Sequence, residues 1–278
     1  NPKAYLSEKL FQDDMKNVPT RNGYGEGLVL AGEENEQVVV LCADLTESTR
    51  SEAFQKKFPE RFIQVGVAEQ NMASLAAGMA LAGKVPFISS YATFSPGRNN
   101  EQIRTTIAIN NVNVKIAGAH AGVSVGPDGA THQALEDIAL MRVMPRMTVV
   151  YPCDAIEARK ATLAASRTKG PVYLRFARAG TPQFTTEQTP FQIGKAEVLQ
   201  EGKDATIVAC GPLVYEALRA ARELEKKNIS VEVINNDTIK PLDVDTILQS
   251  LKKTKALVTV EEHQIAGGMG SAVVEMLA

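Results

Sequence analysis

Residues 62–83 read FIQVGVAEQNMASLAAGMALAG. A short apolar run ends at a glycine, a single glutamate follows, and nothing else is charged until Lys84. The run before the glycine has the length of a buried strand, and the one after Glu69 is long enough for a helix. A strand feeding a helix of small residues is one half of a βαβ unit. Glu69 therefore stands at a strand-to-helix junction, where open α/β sheets place their ligand sites. A carboxylate at that address, with no charged neighbour, is aimed at a partner.

The same alternation continues in both directions. Apolar runs at 38–44, 61–66, 85–90, 113–118, 147–152 and 172–176 read as strands. Helical patterns fall between them at 22–34, 69–82, 99–111, 133–142 and 154–167. Strands that are apolar on both faces predict a largely parallel sheet covered by helices on two sides. The stretch AGTPQFTTEQTPFQ, 179–192, is rich in Thr, Pro and Gln and reads as a linker. Strands at 205–211, 230–236 and 256–262 then alternate with helices at 213–227 and 243–251. The expected fold is α/β: two consecutive open, mostly parallel α/β/α sandwiches, residues 1–185 and 186–278. The second sandwich stops on the start of a helix, GGMGSAVVEMLA, so the protein is expected to continue past Ala278.

Composition narrows the function. A net charge of −2, scattered Lys and Arg and only 5% aromatics argue against nucleic acid as a partner. No apolar run reaches the length of a membrane span. The start, NPKAYLSEKL, lacks the basic-then-apolar pattern of a secretion signal. Cys42, Cys153 and Cys210 are far apart, which suits a reduced, cytoplasmic protein better than a disulfide framework.

Polar and aromatic residues gather where the strands end. Asp44 closes the first strand, Glu69 follows the second, and Tyr91 and Phe94 follow the third. His120 follows the fourth, with Asp128 and His132 just beyond. Arg175 and Arg178 follow the sixth. All fall on one rim of one sheet. The two histidines with Asp128 between them lack the spacing of a structural zinc site.

Taken together, TRNGYGEGL, ADLTEST, FIQVGVAEQNM, SYATFSPGRNNEQIR, AGAHAGVSVGPDGATHQALEDIALMRVMP and RFARAGTP resemble the C-terminal half of transketolase and its thiamine-diphosphate-dependent relatives. The resemblance runs from about residue 19 to the end. It implies a pyrimidine-binding domain followed by a smaller C-terminal domain. The family's diphosphate and metal motif, Gly-Asp-Gly with a downstream Asn, is missing; GPDG at 126–129 is a different sequence. The chain therefore resembles the second subunit of a split transketolase. Such an enzyme moves a two-carbon ketol unit between sugar phosphates. Its cofactors would be thiamine diphosphate and Mg2+ or Ca2+, the metal held mainly by an N-terminal partner subunit. Self-association to a dimer, and a heterotetramer with the partner, are also implied.

The resemblance assigns roles residue by residue. Glu69 would be the catalytic carboxyl that hydrogen-bonds the cofactor's pyrimidine N1′ and so helps its amino group act as base at thiazolium C2. Tyr91 and Phe94 would form the aromatic wall of the pyrimidine pocket, and Asp44 would lie near the cofactor and the subunit contact. His132 would bond the donor carbonyl, His120 substrate hydroxyl or phosphate oxygens, and Asp128 a hydroxyl next to the ketose carbonyl. Arg21, Ser48 and Arg178 would bind the sugar phosphate. Arg175, three residues before Arg178, points to another face and ranks below it. His263, in EEHQIAGGMG, is expected in packing and subunit contact. The HAG that follows the first histidine, in place of the His-Asp of fused enzymes, leans toward the split group. Three other readings stand beside this one: a 1-deoxy-D-xylulose-5-phosphate synthase-like enzyme, a β-type E1 subunit of a 2-oxoacid dehydrogenase, and a noncatalytic dimerising homologue. The plain alternatives are a helix-capping Glu69, core histidines at 120 and 132, a surface ion pair at Arg21 and a strand-end turn at Asp44.

Overall fold

The computed structural model describes residues 1–278. Seven strands form the larger sheet, in the spatial order Thr238–Lys240, Thr148–Val150, Val172–Arg175, Lys115–Ala119, Val85–Tyr91, Val38–Cys42 and Phe62–Gln64. All neighbours are parallel except the Thr238–Lys240 edge. The chain runs from Val38–Cys42 out to the Phe62–Gln64 edge, then crosses back to Val85–Tyr91 on the other side. That reversal opens a crevice beyond the carboxyl ends of these strands. The Val38–Cys42 strand is buried throughout, as its unbroken apolar run requires; Lys115–Ala119 is buried throughout too, its Lys115 ammonium donating to Asn113 Oδ1 and to the Thr168 and Gly170 carbonyls.

Helices cover both faces. Thr20–Glu34 lies against Ala155–Arg167, and they approach closely because Gly23 has no side chain: a Cβ there would run into the Ala155 carbonyl. Asp154 caps the second of these helices by accepting from Glu157 N at 3.0 Å. The close packing fixes the first turn of Thr20–Glu34, and with it Arg21, at the rim.

The smaller sheet has four strands, in the order Leu257–Val260, Ala205–Ala209, Val231–Asn235 and Glu197–Gln200. The first three are parallel, and Glu197–Gln200 is an antiparallel edge. Leu213–Glu225, Val244–Thr254 and Met269–Leu277 are its helices.

Several features depart from the sequence reading. The 133–142 helix is shorter than expected, Asp137–Arg142, because Ala134 bridges to Ala121. The 179–192 stretch is pinned rather than free. Phe184 and Thr185 are buried, and their amides, with the Thr185 hydroxyl, donate to Asp154 at 2.8–3.1 Å. Residues ahead of the first strand pack on the second domain: Ala4 and Met15 share a core with Leu199, Val214 and Val233. The Thr238–Lys240 strand comes from the second half of the chain yet completes the first sheet. One apolar cluster joins Leu41, Met72 and Ile88 to Val208, Ile234 and Met269, so the core crosses from one sandwich to the other.

Candidate active site

Glu69 is the first residue of the helix Glu69–Leu81, and it is 1% exposed. Its carboxyl bonds no backbone amide, so it is not a cap. Arg98 Nη1 donates to Oε2 at 2.8 Å, and Ser90 Oγ donates to Oε1 at 3.4 Å. Asn99 Nδ2 donates to the Glu69 carbonyl at 3.1 Å and to Ser95 Oγ at 3.1 Å, tying the helix start to the next loop. That loop is a wide π-type turn, Thr93–Arg98, broken at Ser95; irregular turns of this kind recur at functional sites.

The aromatic residues come together beside it. Tyr91 and Phe94 lie nearly parallel, centroids 6.0 Å apart. His120 packs on Tyr91 at 3.9 Å. His132 meets Phe94 edge-on at 5.3 Å and Tyr91 at 5.9 Å. His132 Nδ1 is 2.9 Å from the Thr131 hydroxyl. The Arg98 guanidinium lies over the Phe94 ring, 4.5 Å from its centroid.

His120 stands at the next strand end in a left-handed conformation, φ 57°. Arg21 Nη1 is 3.0 Å from its Nε2. A guanidinium can only donate, so Nε2 accepts and the proton sits on Nδ1. Burial, and then Arg21 and the other arginines nearby, push the pKa of His120 down to about 3, so the ring is neutral. Nδ1 is buried and has no partner, which leaves an unsatisfied donor in the site. A satisfied core histidine would not show this.

Arg21 also donates to the Ser48 carbonyl at 2.7 Å, while its Nε is buried and unpaired. The Ser48 contact to Arg21 thus runs through the backbone rather than the hydroxyl. Arg178 donates to the Val125 carbonyl at 2.8 Å and lies 3.9 Å from Asp128. Asp128 belongs to the loop 122–132, which turns through positive φ at Gly122, Gly126 and Gly129. This loop is held from the second domain: Glu262 accepts from Ser124 N at 2.5 Å and from Ser124 Oγ at 3.1 Å. Gly122 is required there, because a Cβ would meet the Glu262 carboxyl and φ is +89°.

The rim therefore brings Glu69, Tyr91, Phe94 and His132 together, with Arg21, Asp128 and Arg178 in a basic edge beside them, to which His120 belongs through Arg21 while it packs on Tyr91. Asp44 stays apart. It is exposed with φ 60°, and its amide donates to Gln64 Oε1. Arg175 is wholly buried and structural: it pairs with Asp137 at 2.7 Å and covers the Tyr151 ring. His263 packs between the domains, its Nε2 3.4 Å from Ala139 N. Sequence reasoning missed Arg98, Arg50 and Glu262. Arg50, with φ 66°, donates to Asn22 Oδ1 at 3.0 Å and adds positive charge near His120. The only sequence signal for Arg98 was its place in SPGRNN, just after the aromatic pair.

The residues suit the pyrimidine end of thiamine diphosphate: a buried carboxyl beside ring faces, with a buried unpaired donor close by. No three His, Cys, Asp or Glu side chains converge anywhere in the chain. No helix is long and apolar enough to cross a membrane.

Comparisons with known proteins agree. Residues 16–183 match the transketolase pyrimidine-binding domain and residues 194–278 the transketolase C-terminal domain. A putative transketolase C-terminal section from Methanocaldococcus jannaschii is 47% identical over 93% of this chain and 81% of its own length. A 6-deoxy-6-sulfo-D-fructose transketolase subunit from a Clostridium species is 40% identical over 96% of this chain and 83% of its own. Human transketolase is 41% identical over 92% of this chain, which spans only 41% of the human protein. A solved split-gene transketolase, described as an inactive β4 tetramer, superposes with a TM-score of 0.88 at 46% identity, covering 94% of this chain and 85% of that one. The chain belongs to the transketolase family, with the pyrimidine-binding and C-terminal domain architecture of the second subunit of a split enzyme.

Proposed function

We propose that this chain is the pyrimidine-binding and sugar-phosphate-binding half of a split transketolase, idle alone and completed by a partner subunit that holds the diphosphate and its metal. The observation that carries this is the buried Glu69 carboxyl beside the Tyr91 and Phe94 rings, in a chain that matches the pyrimidine-binding and C-terminal domains of transketolase. The split-gene relative described as an inactive β4 tetramer supports idleness without the partner. It also favours a second reading, in which the chain is a noncatalytic, self-associating homologue throughout.

When bound, thiamine diphosphate supplies a nucleophilic carbon at its thiazolium ring. The residues of this chain do the rest of what falls to it. Glu69 would share a proton with the pyrimidine nitrogen, and its burial would keep water from competing for it. Tyr91 and Phe94 hold the ring plane. His120, protonated only on Nδ1, donates to a substrate oxygen, and His132 serves the donor carbonyl. Arg21 and Arg178 take the phosphate, for which planar guanidinium forks are suited. These arginines also favour a sugar phosphate over the substrate of a 2-oxoacid dehydrogenase. Asp128 recognises a hydroxyl, and Asp44 lies at the subunit contact. Cytoplasmic residence belongs to the same reading, supported by three buried, unpaired cysteines.

The test is ketol transfer from xylulose 5-phosphate to ribose 5-phosphate, with thiamine diphosphate and Mg2+, by the chain alone and with its diphosphate-site partner. Activity only with the partner is expected. Activity from the chain alone would overturn the split site, and none in either case would favour the noncatalytic reading. Pyruvate with glyceraldehyde 3-phosphate, run in parallel, tests the synthase alternative.

A further inference from the structure

The Arg98 guanidinium is a flat, cationic group that lies over the Phe94 ring at 4.5 Å and donates to Glu69 Oε2 at 2.8 Å. A flat heterocycle bound between an aromatic wall and that carboxyl would make the same two contacts. From this overlap we propose that Arg98 is a built-in occupant of the pyrimidine seat, which covers Glu69 while the seat is free and swings out when the cofactor's ring arrives. The inference rests on the functional reading above.

Three observations carry it. First, the two partners differ in exposure: Glu69 is 1% exposed at its side chain and Arg98 45%. The carboxyl is thus buried, and the guanidinium reaches it from the solvent side. Second, the neighbouring backbone is tied down independently of the Arg98 side chain, since Asn99 Nδ2 holds both the Glu69 carbonyl and Ser95 Oγ. The side chain can leave without unmaking the loop. Third, the only other partner of the Glu69 carboxyl is Ser90 Oγ at a long 3.4 Å. Without Arg98 or a ligand, a buried carboxylate would be nearly unpartnered, which is costly. The seat is therefore never left bare.

A seat closed by its own residue lowers apparent affinity in proportion to the fraction of time it is closed. The experiment uses the chain assembled with its diphosphate-site partner. Thiamine diphosphate affinity is measured by calorimetry for the parent and for Arg98→Met, which keeps length but neither charge nor planarity. About tenfold tighter binding by the variant is expected, the competing ion pair being gone. Phenylglyoxal modification of Arg98 in the parent, read by peptide mass spectrometry, gives a second measure that needs no variant. Modification should speed up when thiamine diphosphate is added.

Equal or weaker binding by Arg98→Met, or protection of Arg98 by the cofactor, would overturn the proposal and make Arg98 a permanent support for Glu69. Those results leave the functional reading intact, since the parent still binds cofactor. Failure of both parent and variant to bind thiamine diphosphate would overturn the functional reading and this proposal with it.

Discussion

Two regions of the rim are built on different plans. The site around Glu69 stands on a helix start, a strand end and the irregular turn Thr93–Arg98 that follows that strand, closed by partners within the same domain. The basic edge around Arg21, His120 and Arg178 stands on left-handed residues and a glycine-rich loop, with polar atoms left unpaired and a brace from the other domain. On the proposed reading, the first region would receive a cofactor that stays. The second has two buried donors without partners, Arg21 Nε and His120 Nδ1, which on the same reading would serve a substrate that comes and goes. If that contrast is right, variants in one region should leave the chemistry of the other untouched.

The hardest blow to the pocket is Glu69→Gln in the assembled enzyme. The amide keeps the volume but cannot share a proton as a carboxyl does. Hydrogen–deuterium exchange at C2 of bound cofactor should slow by roughly 10²–10⁴-fold, with sugar-phosphate affinity unchanged. An unchanged exchange rate would strip Glu69 of its role.

Arg21→Ala or Arg178→Ala should do the reverse. A lost charged hydrogen bond is worth about 1.5–3 kcal/mol, so KM for the sugar phosphate should rise on the order of 10–100-fold while C2 exchange stays at the parent rate. A slowed exchange would merge the two regions into one.

Glu262→Gln weakens the brace on Ser124 without touching substrate. Loss of a single such bond is worth about 0.5–1.5 kcal/mol, so KM should rise roughly 2–10-fold with little change in kcat. Amide exchange across 123–128 should quicken. If the loop's exchange is unmoved, the second domain is not what holds it.

A further effect is on stability. The pKa of His120 in the folded chain, about 3, lies below its ordinary value of 6.5. Between those values the unfolded chain binds a proton that the folded chain refuses, so stability is present above pH 6.5 and lost as pH falls toward 3. His120→Gln does not titrate. The thermal midpoint of the parent should therefore drop more steeply than the variant's between pH 7 and pH 4. Parallel curves would mean that His120 is protonated as readily when folded as when unfolded.

The pocket was far more legible in the sequence than the edge. A lone acid between an apolar strand and a small-residue helix has one plausible address, and the aromatic pair three residues apart sits one strand away. Glu69, Tyr91 and Phe94 could be placed from local pattern and the family resemblance. Arg98, Arg50 and Glu262 could not, because their partners depend on side-chain reach across elements, and Arg and Glu in polar stretches look like ordinary surface. The fold divides the same way. Buried parallel strands announce themselves as apolar runs, whereas Thr238–Lys240 is three residues long and partly polar, and only its neighbour makes it a strand. The 179–192 stretch misled because Thr, Pro and Gln predict solvent, while Asp154 lies ready to bond its amides and the Thr185 hydroxyl.

The Thr238–Lys240 edge has a consequence for how this polypeptide could be divided or recombined. A hybrid exchanged at the composition boundary near residue 186 would carry away the strand that covers Thr148–Val150, baring a row of unpaired amides and carbonyls. It would also sever Ala4 and Met15 from the core they complete. The two sandwiches look like modules in the sequence, yet they are stitched twice across the seam. A chimera that respects the stitching keeps residues 1–278 together and places its junction elsewhere.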